Sequence, residues 1–273
     1  PDCLFLCFFP AGPEVWGSLH SYGNWTPRNA SKARYGQQVP LRWGLQQSNN
    51  WISAYLISLL GPSQFVNILH DFGLNNPDIE KNTSPVLCLG PSEVSVGEMC
   101  SAYTTFVNHG VRCAPIFVTR IEDSHGNVVA KFQPLMNEVI SEESSFKMLD
   151  MLQAVVQGGT GGRLRYHYNL TGEIGGKTGT TNNNSDGWFM GFTPQLVNGC
   201  WVGGEDRDIH FDSTSLGQGA TMALPIWAYY MQMVYADKSL NYSPNAKFDI
   251  PANFDPCQSA EAISINGIQE VYF

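Results

Sequence analysis

The chain has 273 residues, a formal charge of −9, 43% hydrophobic residues and only 14% charged ones. So apolar a chain can bury enough surface to offset its ordering entropy, which excludes a disordered tail. Its 15 scattered cations supply no basic footprint for phosphates, which argues against nucleic acid as a partner.

Residues 1–40 read as irregular, because Pro, Gly, Asn and Ser interrupt every run, as in Pro10-Ala-Gly-Pro13 and Trp25-Thr-Pro27. The longest apolar runs, Cys3 to Phe9 and Trp51 to Leu60, fall short of the roughly 20 residues that span a bilayer. The opening Pro1-Asp2 lacks the Met and basic region of a secretory leader, so the chain is expected to be a piece that begins mid-protein. From Leu41 to Leu60 the residues Leu41, Leu45, Ile52, Leu56 and Leu59 recur at helical intervals. Ser48-Asn49-Asn50 interrupts them with poor helix formers, so two helices broken at 48–50 are expected, the second ended by Gly61-Pro62.

A helix from about Ser63 to Phe72 ends at Gly73. Ser95-x-x-Glu98 is a capping box opening a helix through Met99, Tyr103, Phe106 and Val107 to Gly110. Ile116 to Glu122 and Val128 to Phe132 read as a hairpin around Ser124 to Asn127. Ser141 caps an amphipathic helix carrying Phe146, Leu149, Leu152, Val155 and Val156, which stops at Gly158-Gly159. Ile174 to Thr181, Gly187 to Phe192 and Gly199 to Gly203 then form a three-stranded meander, with Pro194 to Asn198 as one turn. Thr221 to Tyr235 is a final apolar helix that tolerates Pro225 near its first turn. The tail after Asn241 reads as irregular. Helices followed by an antiparallel sheet and a closing helix make an α+β fold.

Seven cysteines without a CxxC pair are no disulfide framework, and Cys88, Cys100, Cys113 and Cys200 read as small buried hydrophobes. The six His lie away from the cysteines and from any triad spacing, so no metal or other cofactor is expected. Glu205-Asp206-Arg207-Asp208 reads as a charged turn.

The segment Gly175 to Thr181, Gly-Gly-Lys-Thr-Gly-Thr-Thr, carries the sharpest chemistry. As a phosphate-binding loop it would need a Gly at position 171, which is Thr171, and a helix after Lys177, which Asn182 to Asn184 discourage. As an edge strand it would bind an extended peptide through main-chain hydrogen bonds. Lys177 then places an ammonium in the site, Thr178 and Thr180 share one side of the strand, and Gly179 lets another backbone approach. Trp188 and Phe189 are expected to pack beneath the strand.

Ser48-x-Asn50 with Lys177-Thr-Gly179 matches two signatures shared by penicillin-binding proteins and class A β-lactamases. Trp25 to Asn29, Val39 to Arg42, Leu89 to Ser92, Gly158 to Gly161 and Asp186 to Pro194 strengthen the match over about residues 22–235. The chain resembles the C-terminal part of the transpeptidase domain of class A penicillin-binding proteins. The resemblance implies the penicillin-binding-protein/β-lactamase-like fold, here N-terminally incomplete. It divides the chain into an unmatched segment 1–21, a transpeptidase domain 22–240 and a tail 241–273.

In that family a serine attacks a D-Ala carbonyl of a peptidoglycan stem peptide, an amine of a second stem resolves the acyl-enzyme, and β-lactams trap the serine. By resemblance Ser48 is catalytic, relaying protons. Asn50 binds the substrate amide, and Lys177 acts through Ser48. Thr178 and Thr180 grip the carboxylate, flanked by Gly179 and Thr181, while the Thr180 N–H joins the oxyanion hole. The implied partners are stem peptides and β-lactams, with a membrane anchor and a glycosyltransferase domain upstream and an extracytoplasmic location. Alternatives are a non-catalytic peptidoglycan-binding relic and, behind it, a class A β-lactamase or D,D-carboxypeptidase.

The nucleophile motif S-x-x-K is expected several dozen residues before Ser48, and residues 1–47 contain none. Ser144-Ser-Phe-Lys147 fits the string but lies between the other two signatures, out of chain order. No covalent β-lactam adduct is therefore expected on this chain, since an unaided hydroxyl is a weak nucleophile.

Overall fold

The computed structural model describes residues 8–13, 25–81, 84–255, 263–265 and 268–271. Cys3, Cys7, His20 and Cys257 lie outside the described residues. Strand β1 (Phe8–Pro10) pairs antiparallel with β2 (Gln38–Pro40), joining Phe9 to Val39. Residues 1–40 are thus not uniformly irregular: two three-residue strands bounded by prolines carry too little alternation to be read locally. Phe9, Ala11, Val39 and Ile52 bury together beneath them.

Helices α1 (Leu41–Gln46) and α2 (Asn50–Leu60) flank the expected break. Asn49 makes the break specific. Its side-chain oxygen accepts the Ile52 N–H and its Nδ2 donates to the Ala11 carbonyl at 2.9 Å, so it caps α2 and ties it to the first strand pair. The turn holds Ser48 at φ +54°. Gly61 (φ +88°) ends α2, and Pro62 opens α3 (Pro62–Asp71). A short α4 (Pro77–Lys81) precedes α5 (Val96–Val107), whose Ser95–Glu98 capping box is complete.

Beyond α5, β3 (Val111–Cys113) pairs with β6 (Met136–Glu138) around the hairpin of β4 (Arg120–Glu122) and β5 (Val128–Lys131). The long α6 (Glu142–Gly158) and one turn of α7 (Arg163–Tyr166) lead to the main sheet. That sheet is an antiparallel meander in the order β7 (Gly175–Thr180), β8 (Asp186–Thr193), β9 (Leu196–Gly203), with β7 at its edge. After the short α8 (Thr214–Gly217), α9 (Ala223–Ala236) closes the core.

Side-chain alternation on β8 sets the layers. Phe189 meets Trp227 of α9, while Phe192 meets Tyr103 of α5 and Phe248 of the tail. Phe189 and Phe192 are completely buried, whereas Trp188 is only half-buried. The sequence expectation that both aromatics lie beneath β7 is therefore corrected: adjacent strand residues face opposite ways, Phe189 into the layer of α9 and Trp188 to the half-buried end of the face that Phe192 shares. The stretch 241–255 is mostly irregular, yet Phe254 packs on Phe146. Strands β10 (Ile263–Ile265) and β11 (Ile268–Val271) pair with each other.

No described helix is by itself long and apolar enough to cross a membrane; α2 and α3 together are, but they meet at a 97° bend.

Candidate active site

The helix break and the sheet edge meet. Lys177 Nζ donates to Ser48 Oγ at 2.8 Å and to the Thr178 carbonyl at 2.8 Å, joining residues 129 positions apart. Ser48 is exposed. It sits where α1 has ended and α2 has not begun, so its hydroxyl stands clear of both helices. Part of the Lys177 side chain reaches the surface, yet desolvation among its neighbours pushes the ammonium down to about 8.

Thr178 Oγ1 donates to Thr160 Oγ1 at 2.7 Å. Thr160 follows the C-terminus of α6, and its N–H donates to the Gln46 carbonyl at 3.2 Å, two residues before Ser48. This close approach requires Gly159, because a Cβ there would overlap the Gln46 carbonyl. Gln46 Nε2 in turn donates to the Ala154 carbonyl at 3.2 Å. The α6 terminus is thereby bonded to the end of α1 and to the edge of β7.

The other anticipated residues take distinct places. Asn50 Nδ2 donates to the Arg28 carbonyl at 2.6 Å and its backbone N–H to Asn29 Oδ1 at 2.8 Å, which leaves its amide oxygen for a ligand. Thr180 is exposed, and its Oγ1 accepts the Gly219 N–H at 3.0 Å, leaving the hydroxyl proton to donate. A Cβ at Gly179 would stand 3.1 Å from Trp188 Cβ, so strand pairing already calls for a small residue there. Thr181 Oγ1 accepts the N–H groups of Ser185 and Asp186 at 3.1 and 3.0 Å; its hydroxyl closes the β7–β8 turn. Thr160, Gln46 and Asn29 complete the arrangement without having been singled out by residue type. Position was their only signal: Thr160 and Asn29 stand inside matched motifs and Gln46 beside one.

Ser144 lies elsewhere. It occupies the first turn of α6, about 21 Å at the helical rise from the opposite end, which leads into the Thr160–Thr178 contact. Its hydroxyl bonds Ser141 at 2.9 Å, and Lys147 pairs with Glu143 at 2.7 Å. The out-of-order S-x-x-K string is thus a first-turn serine bonded to the Ser141 cap and an i, i+4 ion pair.

Among the described residues no group of three His, Cys, Asp or Glu side chains converges to hold a metal ion. Cys88, Cys100, Cys113 and Cys200 are free and half-buried rather than fully buried, and desolvation pushes the Cys88 thiol up to about 12. The Glu205 to Asp208 segment is an exposed turn, with Arg207 reaching Glu93 at 3.9 Å.

The sequence pattern of the penicillin binding protein transpeptidase domain matches residues 9–203. Penicillin-binding protein 1A of Aquifex aeolicus is 35% identical over 231 residues, covering 84% of this chain and 29% of that protein. Penicillin-binding protein 1A of Neisseria meningitidis is 31% identical over 223 residues, covering 78% and 26%. The crystal structure of Penicillin-Binding Protein 1A from Haemophilus influenzae superposes with a TM-score of 0.71 at 27% identity, over 84% of this chain and 38% of that one. The PonA1 protein of Mycobacterium tuberculosis in complex with penicillin V shares the fold, with a TM-score of 0.63 at 21% identity over 86% and 62%. The chain spans less than a third of the length of the curated relatives named here.

Proposed function

The chain belongs to the penicillin-binding protein transpeptidase domain family, and from that premise we propose that it carries the substrate-gripping and proton-relay part of a peptidoglycan D,D-transpeptidase. The observation that carries this reading is the 2.8 Å hydrogen bond from Lys177 to Ser48. An ammonium on a serine hydroxyl does two things. It attracts the free carboxylate of a stem peptide, and it holds the hydroxyl in one orientation, from which a proton can pass to a leaving amine. With Lys177 pushed down to about 8, a fraction of it is the neutral amine near neutral pH and can accept a hydroxyl proton as a base.

In this reading β7 receives the peptide as an added strand along its free edge. The Thr178 and Thr180 hydroxyls hold the carboxylate, the Asn50 amide oxygen accepts the substrate amide N–H, and the Thr180 N–H faces the developing oxyanion. Gly179 and Thr181 shape the strand and its turn. Ser144 takes no part, so acylation needs a serine beside Lys177 other than Ser144. The substrates are peptidoglycan stem peptides and the inhibitors β-lactams. A membrane anchor, a glycosyltransferase domain and an extracytoplasmic location belong to the whole protein in this reading.

Calorimetric titration with N-acetyl-L-Lys-D-Ala-D-Ala tests it. The chain should bind this peptide, and Lys177→Met should weaken binding about tenfold or more, the loss expected for one hydrogen bond to a charged group. An absence of binding, or equal affinity in the variant, would overturn the reading.

A further inference from the structure

We propose that Thr160 is a positioning residue for the substrate carboxylate, acting through Thr178; the inference rests on the transpeptidase reading above. Neither Thr160 nor the loop that carries it belongs to the serine or lysine signatures.

A threonine hydroxyl carries one proton and can accept as well as donate. In the unliganded chain the Thr178 proton goes to Thr160 Oγ1, 2.7 Å away. Among the described residues the Thr160 proton has no acceptor, and the residue is half-buried. When an anion reaches Thr178 the direction can invert at no cost in bonds. Thr160 then donates to Thr178, and Thr178 donates to the carboxylate. A donor that itself accepts a hydrogen bond is polarised and donates more strongly. Without Thr160, Thr178 would still have a proton, but its rotor would be free and its oxygen unpolarised.

The placement of Thr160 is fixed from both sides. Its N–H is held by the Gln46 carbonyl, and the Gly159 backbone is pressed against the same group. Thr160 thus bridges the segment that presents Ser48 and the strand that presents Lys177. A shift at either element would change the Thr160–Thr178 distance.

The test compares Thr160→Val, which keeps the shape and removes the hydroxyl, with Thr160→Ser, which keeps the hydroxyl. The probes are N-acetyl-L-Lys-D-Ala-D-Ala and its C-terminal amide, titrated into the chain, with circular dichroism as the check on folding. The wild-type chain should prefer the acid. Thr160→Val should lose about fivefold in acid affinity with amide affinity unchanged, as for one neutral hydrogen bond that polarises the donor to the carboxylate. Thr160→Ser should stay within about twofold of wild type on the acid, since it keeps that bond. An unchanged acid-to-amide ratio in Thr160→Val would overturn the inference alone, and so would equal losses on both peptides, which mark a structural role. A wild-type chain without preference for the acid would overturn both this inference and the reading beneath it.

Discussion

Lys177 sits under two opposed demands. Desolvation favours its neutral amine, while the Ser48 hydroxyl and, in the proposed reading, an incoming carboxylate favour its ammonium. In the unfolded chain it titrates near 10.5 and in the folded chain near 8. Between those values the unfolded chain holds the extra proton, so the contribution of Lys177 to stability rises with pH across that window. Below pH 8 both states are protonated and the burial penalty stands in full. Urea denaturation of wild type and Lys177→Met at pH 7 and pH 10 should show the wild type gaining stability relative to the variant as pH rises. Its affinity for the peptide acid should fall over the same interval, because the ammonium is lost. A constant difference in stability, or affinity that rises with pH, would contradict the assignment of Lys177 as a buried cation serving an anion.

Among the elements, β7 and β8 show what local pattern can and cannot decide. The helix break at 48–50, the Ser95 capping boundary and the meander are legible because each has its own signal: consecutive Asn, Ser-x-x-Glu, alternation between turns. Which of Trp188 and Phe189 packs on α9 is not, since two adjacent aromatics satisfy either phase of a strand and both faces of β8 carry buried residues. Register decides it, placing Phe189 opposite Thr178 and against Trp227. Phe189→Ala should therefore cost about 3–5 kcal/mol by leaving a cavity beneath the lysine strand, and Trp188→Ala clearly less. Equal losses in thermal or chemical denaturation would return Trp188 to the core. The β1–β2 pair was illegible for another reason: its strands are three residues each and meet only through a long loop closure.

At the scale of the whole molecule the site joins the end of one helix, the beginning of another, the terminus of a third and a sheet edge. No periodicity in the sequence relates Ser48 to Lys177, so their meeting was foreseeable only from the resemblance of separate motifs. Thr160 stood inside one of those motifs with nothing in its residue type to assign it a role. In the proposed reading these segments form one surface for the acid end of a peptide. Amide shifts of the isotope-labelled chain during titration with N-acetyl-L-Lys-D-Ala-D-Ala test it most directly. The shifts should appear together at Ser48 to Asn50, Thr160 and Thr178 to Thr180, with a single binding constant. Shifts confined to a distant surface, such as the cleft of Glu142, Phe146 and Phe254, or different constants for the helix break and the strand, would contradict it.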